Sequence, residues 1–149
     1  MNPHITIIAV FLFSLITSCT YTSPYRRVGG ADAESAIVTL TAVEHKPGQR
    51  GAFFDDSRKV IADLRNQSGL LGYSFRFQLI GRKAWTMTAW KDEASRDSFA
   101  SSPAHRAAVK NSRVTSKNMR FISVEVPVKE LPMEWTEALR LLDAAPAYE

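Results

Sequence analysis

With one cysteine, Cys19, in 149 residues, the chain cannot close an internal disulfide, and no oxidative staple contributes to its fold. It also lacks any run of five or six like charges, because its 19 Lys and Arg are interspersed with 15 Asp and Glu. That dispersal, at a formal net charge of +4, argues for solubility and against a nucleic-acid footprint. Arg26-Arg27 and the stretch from Arg106 to Lys117 are local basic concentrations that read as solvated faces. Missing too are a Gly-rich phosphate loop, a paired-Cys or His-Glu metal spacing and a nucleophile elbow. Neither a metal nor a nucleotide cofactor is therefore expected. Composition is that of an ordinary globular protein, 45% hydrophobic and 23% charged, with room for one domain.

The longest apolar run, Ile5 to Ile16 (ITIIAVFLFSLI), is too short to cross ~30 Å of hydrocarbon as a comfortable helix, and fits the core of a signal peptide. It ends in Leu15-Ile16-Thr17-Ser18-Cys19, which resembles a lipobox: small side chains at the scissile bond and a thiol to receive a diacylglycerol. Residues 1–18 are thus expected to be a lipoprotein-type signal and Cys19 the lipidated residue. The region before the apolar run departs from the pattern, since it offers only His4 and the terminal amine as cations. The alternative is an uncleaved apolar N-terminus or a short anchor with an incidental buried Cys. Residues 19–35, with the Ser, Pro and Gly of TYTSPYRRVGGAD, read as a flexible tether to the periplasmic or extracellular side of a bacterial membrane.

Beyond the tether, periodicity marks the elements. Ala36 to Glu44 is β-branched and stops at Lys46-Pro47-Gly48, which predicts a strand. Apolar positions from Phe53 to Leu64 fall at helical spacing, with Gly69 placed to end the helix. Tyr73, Phe75, Phe77 and Leu79 alternate with polar residues, and Ala84 to Trp90 follows after Gly81-Arg82-Lys83, so a hairpin is predicted. From Asp92 to Asn111 the pattern is helical, broken at Ser101-Ser102-Pro103, where Ser102 can cap and Pro103 can start a second helix. Met119 to Val128 predicts a fourth strand, and Pro132 to Leu142 a terminal helix with Trp135, Leu139 and Leu142 on one stripe. The order βαββαβ implies an α+β, ferredoxin-like domain over residues 36–128, a four-stranded antiparallel sheet with both helices on one face, and a helical extension over 129–149. The uncovered face is expected to bring two copies together as a homodimer.

The segment Gly81-Arg82-Lys83-Ala84-Trp85-Thr86-Met87-Thr88-Ala89-Trp90-Lys91-Asp92-Glu93-Ala94, continued by Phe99 to His105, resembles the antibiotic-biosynthesis-monooxygenase-like domain. There a strand ends in Trp, an acidic short helix follows, and a Phe precedes a Ser-x-x-His turn. The similarity spans about Ala36 to Val126 and is specific mainly over residues 84–105; the same local pattern is similar to spheroidene-monooxygenase-like proteins. The resemblance implies a dimeric α+β barrel with a cavity between sheet and helices. It also implies a function: in some members, oxygenation of aromatic molecules without metal or flavin. Fold membership by itself says little about chemistry. Trp90 and His105 match the pattern. Phe99 stands where haem-degrading relatives have a helical Trp, and Val109 where they have the proximal haem histidine. The first strand carries no Asn either, so haem degradation is disfavoured.

These matches nominate a site. His105 is a candidate acid or base near neutral pH, or else makes local hydrogen bonds in the first turn after Pro103. Trp90, Tyr73 and Phe99 are candidates to line a pocket for a flat aromatic molecule, or else pack in the core. Arg76, on the polar face of its strand, is the candidate electrostatic partner of His105, or else is solvated. The leading expectation is a monooxygenase-like protein acting on a small apolar or aromatic molecule with no cofactor. Its rival is a non-catalytic ligand-binding or envelope-interaction lipoprotein that retains the fold. A polar-lined cavity joining Trp90 and His105 favours the first, and a filled interior the second.

Overall fold

The computed structural model describes residues 19–30 and 32–148. The predicted signal peptide, residues 1–18, lies outside the described residues. Six strands form one antiparallel sheet: β1 (Thr20–Thr22), β2 (Arg26–Arg27), β3 (Ser35–His45), β4 (Leu70–Gln78), β5 (Lys83–Trp90) and β6 (Ser116–Pro127). The helices are α1 (Arg50–Leu64), α2 (Glu93–Ala100), α3 (Pro103–Thr115) and α4 (Trp135–Ala144). The four long strands run in the order β4-β5-β3-β6, so β3, first of the four in sequence, sits inside between β5 and β6. This is the ferredoxin-like arrangement that βαββαβ implied.

Alternation along the strands sorts side chains to two faces. Ile37 opposes Trp90 and Tyr73 opposes Thr88 on the first face, where Leu64 of α1 and Phe99 of α2 join Leu70, Tyr73 and Trp90 in one cluster. Val38 opposes Ala89 and Leu40 opposes Met87 on the second face. The second face is not left open. Leu131, Ala138 and Leu142 of the C-terminal extension close over it, with Trp135 and Leu141 packed alongside. A fully buried leucine contributes about 2 kcal/mol of transfer free energy, which is reason enough for the chain to cover this face with its own extension. The premise from which sheet-to-sheet pairing was expected, an uncovered face, is therefore absent. The helix itself begins at Trp135 instead of Pro132, and its buried stripe is Ala138 and Leu142, with Leu139 only half-buried.

The segment expected to be a flexible tether is built into the sheet. Thr20 to Thr22 pair with Gln78 to Arg76, and Arg26-Arg27 pair with Tyr73-Gly72. The physical reason is the edge of β4, whose free N–H and C=O groups otherwise need other partners. Two further features hold the segment there. Tyr25 lies directly over Gly72, in space that a Cβ at 72 would occupy, and the Arg27 guanidinium donates to the Leu131 carbonyl at 3.3 Å. At the opposite edge Ala147 bridges to Arg120, so segments near both ends of the described residues line the two edges of the sheet. No helix among the described residues is long and apolar enough to cross a membrane.

Candidate functional site

Three local stops bring the nominated aromatic and imidazole groups together. β5 ends at Trp90, which is 0% exposed, and its indole N–H donates to Thr88 Oγ1 at 3.0 Å. Asp92 then caps α2 by accepting from the Ser95 N–H at 2.8 Å, which aims the helix so that Phe99 returns onto Trp90. The two rings stack with centroids 5.2 Å apart. The break after Ala100 ends at Ser102, whose Oγ accepts from the His105 N–H at 3.3 Å and donates to Asp63 Oδ2 at 2.7 Å. One hydroxyl thus caps α3 and ties its start to the end of α1.

The His105 ring lies 4.8 Å from the Phe99 ring, and its Nδ1 is 3.1 Å from the Ala100 carbonyl. A carbonyl oxygen only accepts, so Nδ1 holds the proton and Nε2 keeps its lone pair. Burial pushes the His105 pKa below the usual histidine value of 6.5; the Ala100 carbonyl and the charge of Asp63 pull the other way without reversing it. At neutral pH the ring is an uncharged base. Tyr73, 3% exposed, belongs to the same cluster, and its hydroxyl accepts from Arg65 Nε at 3.0 Å.

The structure thus gathers Trp90, Tyr73, Phe99 and His105 on one face of the sheet. It does not gather Arg76. That residue alternates to the other face, opposite Trp85, where its Nε is buried with no hydrogen-bond partner. The sheet stands between Arg76 and His105, so the two cannot act on one small molecule. The polar groups actually beside the cluster are Asp63, Arg65 and Ser102. Asp63 and Arg65 flank the buried Leu64 at the end of α1, a position that the helical period alone does not single out.

Trp90 and Phe99 are buried against each other within the cluster. A cavity of about 260 Å³ lies elsewhere, lined by Arg113, Lys117, Asn118, Met119 and Tyr148 among others, and no nominated residue borders it. Among the described residues no three His, Cys, Asp or Glu side chains come together as a metal site. Cys19 is exposed, with its carbonyl accepting from the Leu79 N–H at 2.8 Å.

Comparison with known proteins agrees with this architecture. The sequence profile of the family described as antibiotic biosynthesis monooxygenase matches residues 36–111, about half of the chain. No curated protein matches the sequence. Among solved structures, a monooxygenase-like protein of Fusobacterium nucleatum superposes with a TM-score of 0.62 at 12% identity, over 69% of this chain. The aligned region is 48% of that protein, so this chain spans about half its length. A protein of Shewanella oneidensis superposes with a TM-score of 0.58 at 15% identity, over 69% of this chain and 97% of its own. A crystal structure of an antibiotic biosynthesis monooxygenase gives 0.55 at 12% identity, over 59% and 95% of the two chains. At these identities the structural likeness concerns the fold.

Proposed function

The chain belongs to the antibiotic biosynthesis monooxygenase family, and from that premise we propose that His105 is the base in a cofactor-independent oxygenation of a small, flat hydroxyarene. The observation that carries the proposal is the half-buried, uncharged imidazole whose Nε2 lone pair is free beside the Phe99–Trp90 stack. The substrate meets the partly exposed His105 ring beside Phe99 and gives its phenolic proton to Nε2. The resulting phenolate is electron-rich enough to reduce dioxygen. One oxygen atom enters the ring and becomes a quinone carbonyl as the C–H bond it replaces is lost; the other leaves as water. Arg65, through its contact with Tyr73, is the cation on the correct face to favour the phenolate, the role first considered for Arg76. Iron ligation on α3 by the route of haem-degrading relatives does not fit, because Val109 has no donor atom.

Oxygen uptake measured with 1-naphthol and a panel of hydroxyquinones tests this. The wild type is expected to consume oxygen with at least one of them, and His105→Ala to lower kcat by about 100-fold. Silence of the wild type across the panel retires the enzymatic reading.

The burial of Trp90 and Phe99 favours a second reading, in which the fold is kept as a binding module and the reaction is lost. Saturable quenching of tryptophan emission by 1-naphthol, with no oxygen consumed, would establish it.

We further propose that Cys19 carries a lipid that holds the protein on the outer side of a bacterial membrane. Its exposed position, directly after an apolar run and small residues, supports this. Mass spectrometry of the cellular protein should find an acylated Cys19 at the N-terminus; an unprocessed Met1 would refute it.

A further inference from the structure

The end of the sheet at which Cys19 enters is unlike the rest of the surface. Cys19 is bonded through its carbonyl to Leu79, the first residue of the β4–β5 turn. Leu79 is 48% exposed and Ile80 65%, and both project at the tip of the hairpin. The turn is firmly held. Arg50 donates to the carbonyls of Gln78 and Gly81 at 3.0 and 2.9 Å, and the Gln78 side-chain oxygen accepts from the N–H groups of Arg82 and Lys83. Gly81 takes a φ of +145°, which an L side chain rarely adopts, and a Cβ there would also collide with Gln78. Two bulky aliphatic groups are therefore presented to water on a rigid support. Val114, 70% exposed at the end of α3, is brought to the same end by Lys46, which donates from Nζ to the Val114 carbonyl and from its own N–H to Thr115.

Charge at this end is predominantly positive. Arg50, Arg82 and Lys83 flank the turn, and Lys46 and Lys117 lie at the same end of the sheet on β3 and β6. Glu44 is the acid among them, shared between Arg82 at 3.5 Å and Lys117 at 3.8 Å. Asp55 and Asp56, further along α1, are paired with Arg58 and Lys59. An apolar projection flanked by cations matches the depth profile of an anionic lipid surface: acyl chains beneath, negative headgroups above.

We propose that this end of the domain, with Leu79 and Ile80 at its centre, is a docking face for an anionic lipid bilayer. The occupant follows from the chain itself. Cys19, the proposed lipid acceptor, is itself the residue that bonds Leu79, so a lipid carried there emerges beside this tip. A lipid at Cys19 brings the tip to the headgroup layer, and the flanking cations hold it there. The domain then stands on the membrane on the β4–β5 turn instead of swinging on a tether. The inference rests on the membrane anchoring proposed for Cys19.

The test uses the full chain in vesicles of phosphatidylcholine and phosphatidylglycerol at three to one. An environment-sensitive fluorescent amino acid replaces Ile80 in one protein and Val28 in another. Val28 is 49% exposed but joins β4 at the other end, through Leu71. The expected result is a blue shift of the emission at 80 and none at 28, with the shift reduced in 0.5 M salt or by Lys83→Glu. Flotation of both proteins with the vesicles while position 80 stays in water overturns the docking face and leaves the anchor standing. Failure of either protein to float overturns the anchor, and the docking face with it.

Discussion

The burial that brings His105 against Phe99 also lowers its pKa and keeps the ring uncharged, as the proposed role of base requires, and this has a signature in stability. Its pKa is depressed in the folded chain, so the unfolded chain binds the proton more tightly. The stability tied to the neutral ring is fully present above about pH 6.5, declines as the pH falls below that value, and levels off beneath the lower folded pKa. Urea denaturation of the wild type against His105→Phe should therefore show the curves diverging between neutral and mildly acidic pH, with the variant losing less. Oxygen uptake should persist to lower pH than an unperturbed histidine would allow. Ser102 acts on the same group from below: Ser102→Ala removes the cap of α3 and the link to Asp63, and about 1 kcal/mol of stability is expected to go with them. Trp90, Phe99 and His105 were legible in the sequence because a strand end, a capped helix and a Ser-Pro break are local signals. Asp63 and Arg65 were not, since recognising them requires knowing which side of α1 meets the start of α3.

At the scale of elements, what the sequence shows is alternation, and what it hides is pairing at a distance. Tyr73-Phe75-Phe77 and the Ala84–Trp90 segment announce themselves by period, and their hairpin forms where expected. The strands Thr20–Thr22 and Arg26–Arg27 are too short to carry a period, and they exist because β4 has an open edge and Gly72 leaves room for Tyr25. Arg76 illustrates the same limit: alternation put it on the polar side of its strand, yet only the whole sheet shows that His105 lies across from it. The terminal helix was legible as amphipathic, but not which surface it would cover. Its attachment is open to test at Leu142, which is 1% exposed. Leu142→Ala should cost about 3 kcal/mol, read as a lower urea midpoint with unchanged slope. A near-neutral substitution would mean that α4 does not pack on Val38 and Leu40.

For the whole molecule, one extension changes what the fold offers to others. Because residues 131–145 cover the second face within the chain, the open face on which a homodimer was expected is absent among the described residues. The full chain in detergent is expected to scatter light as a monomer, and a dimer that survives dilution would show that α4 yields its place to a second copy. The first face keeps the aromatic cluster, and there the two proposed readings meet: in both, the hydroxyarene would touch His105. Proton NMR of the two described histidines on titration with 1-naphthol tests that most directly. The account predicts a saturable shift of the His105 ring resonance while that of His45, in its own contact with Phe53, stays in place. A His105 resonance that does not move at saturating ligand would contradict it.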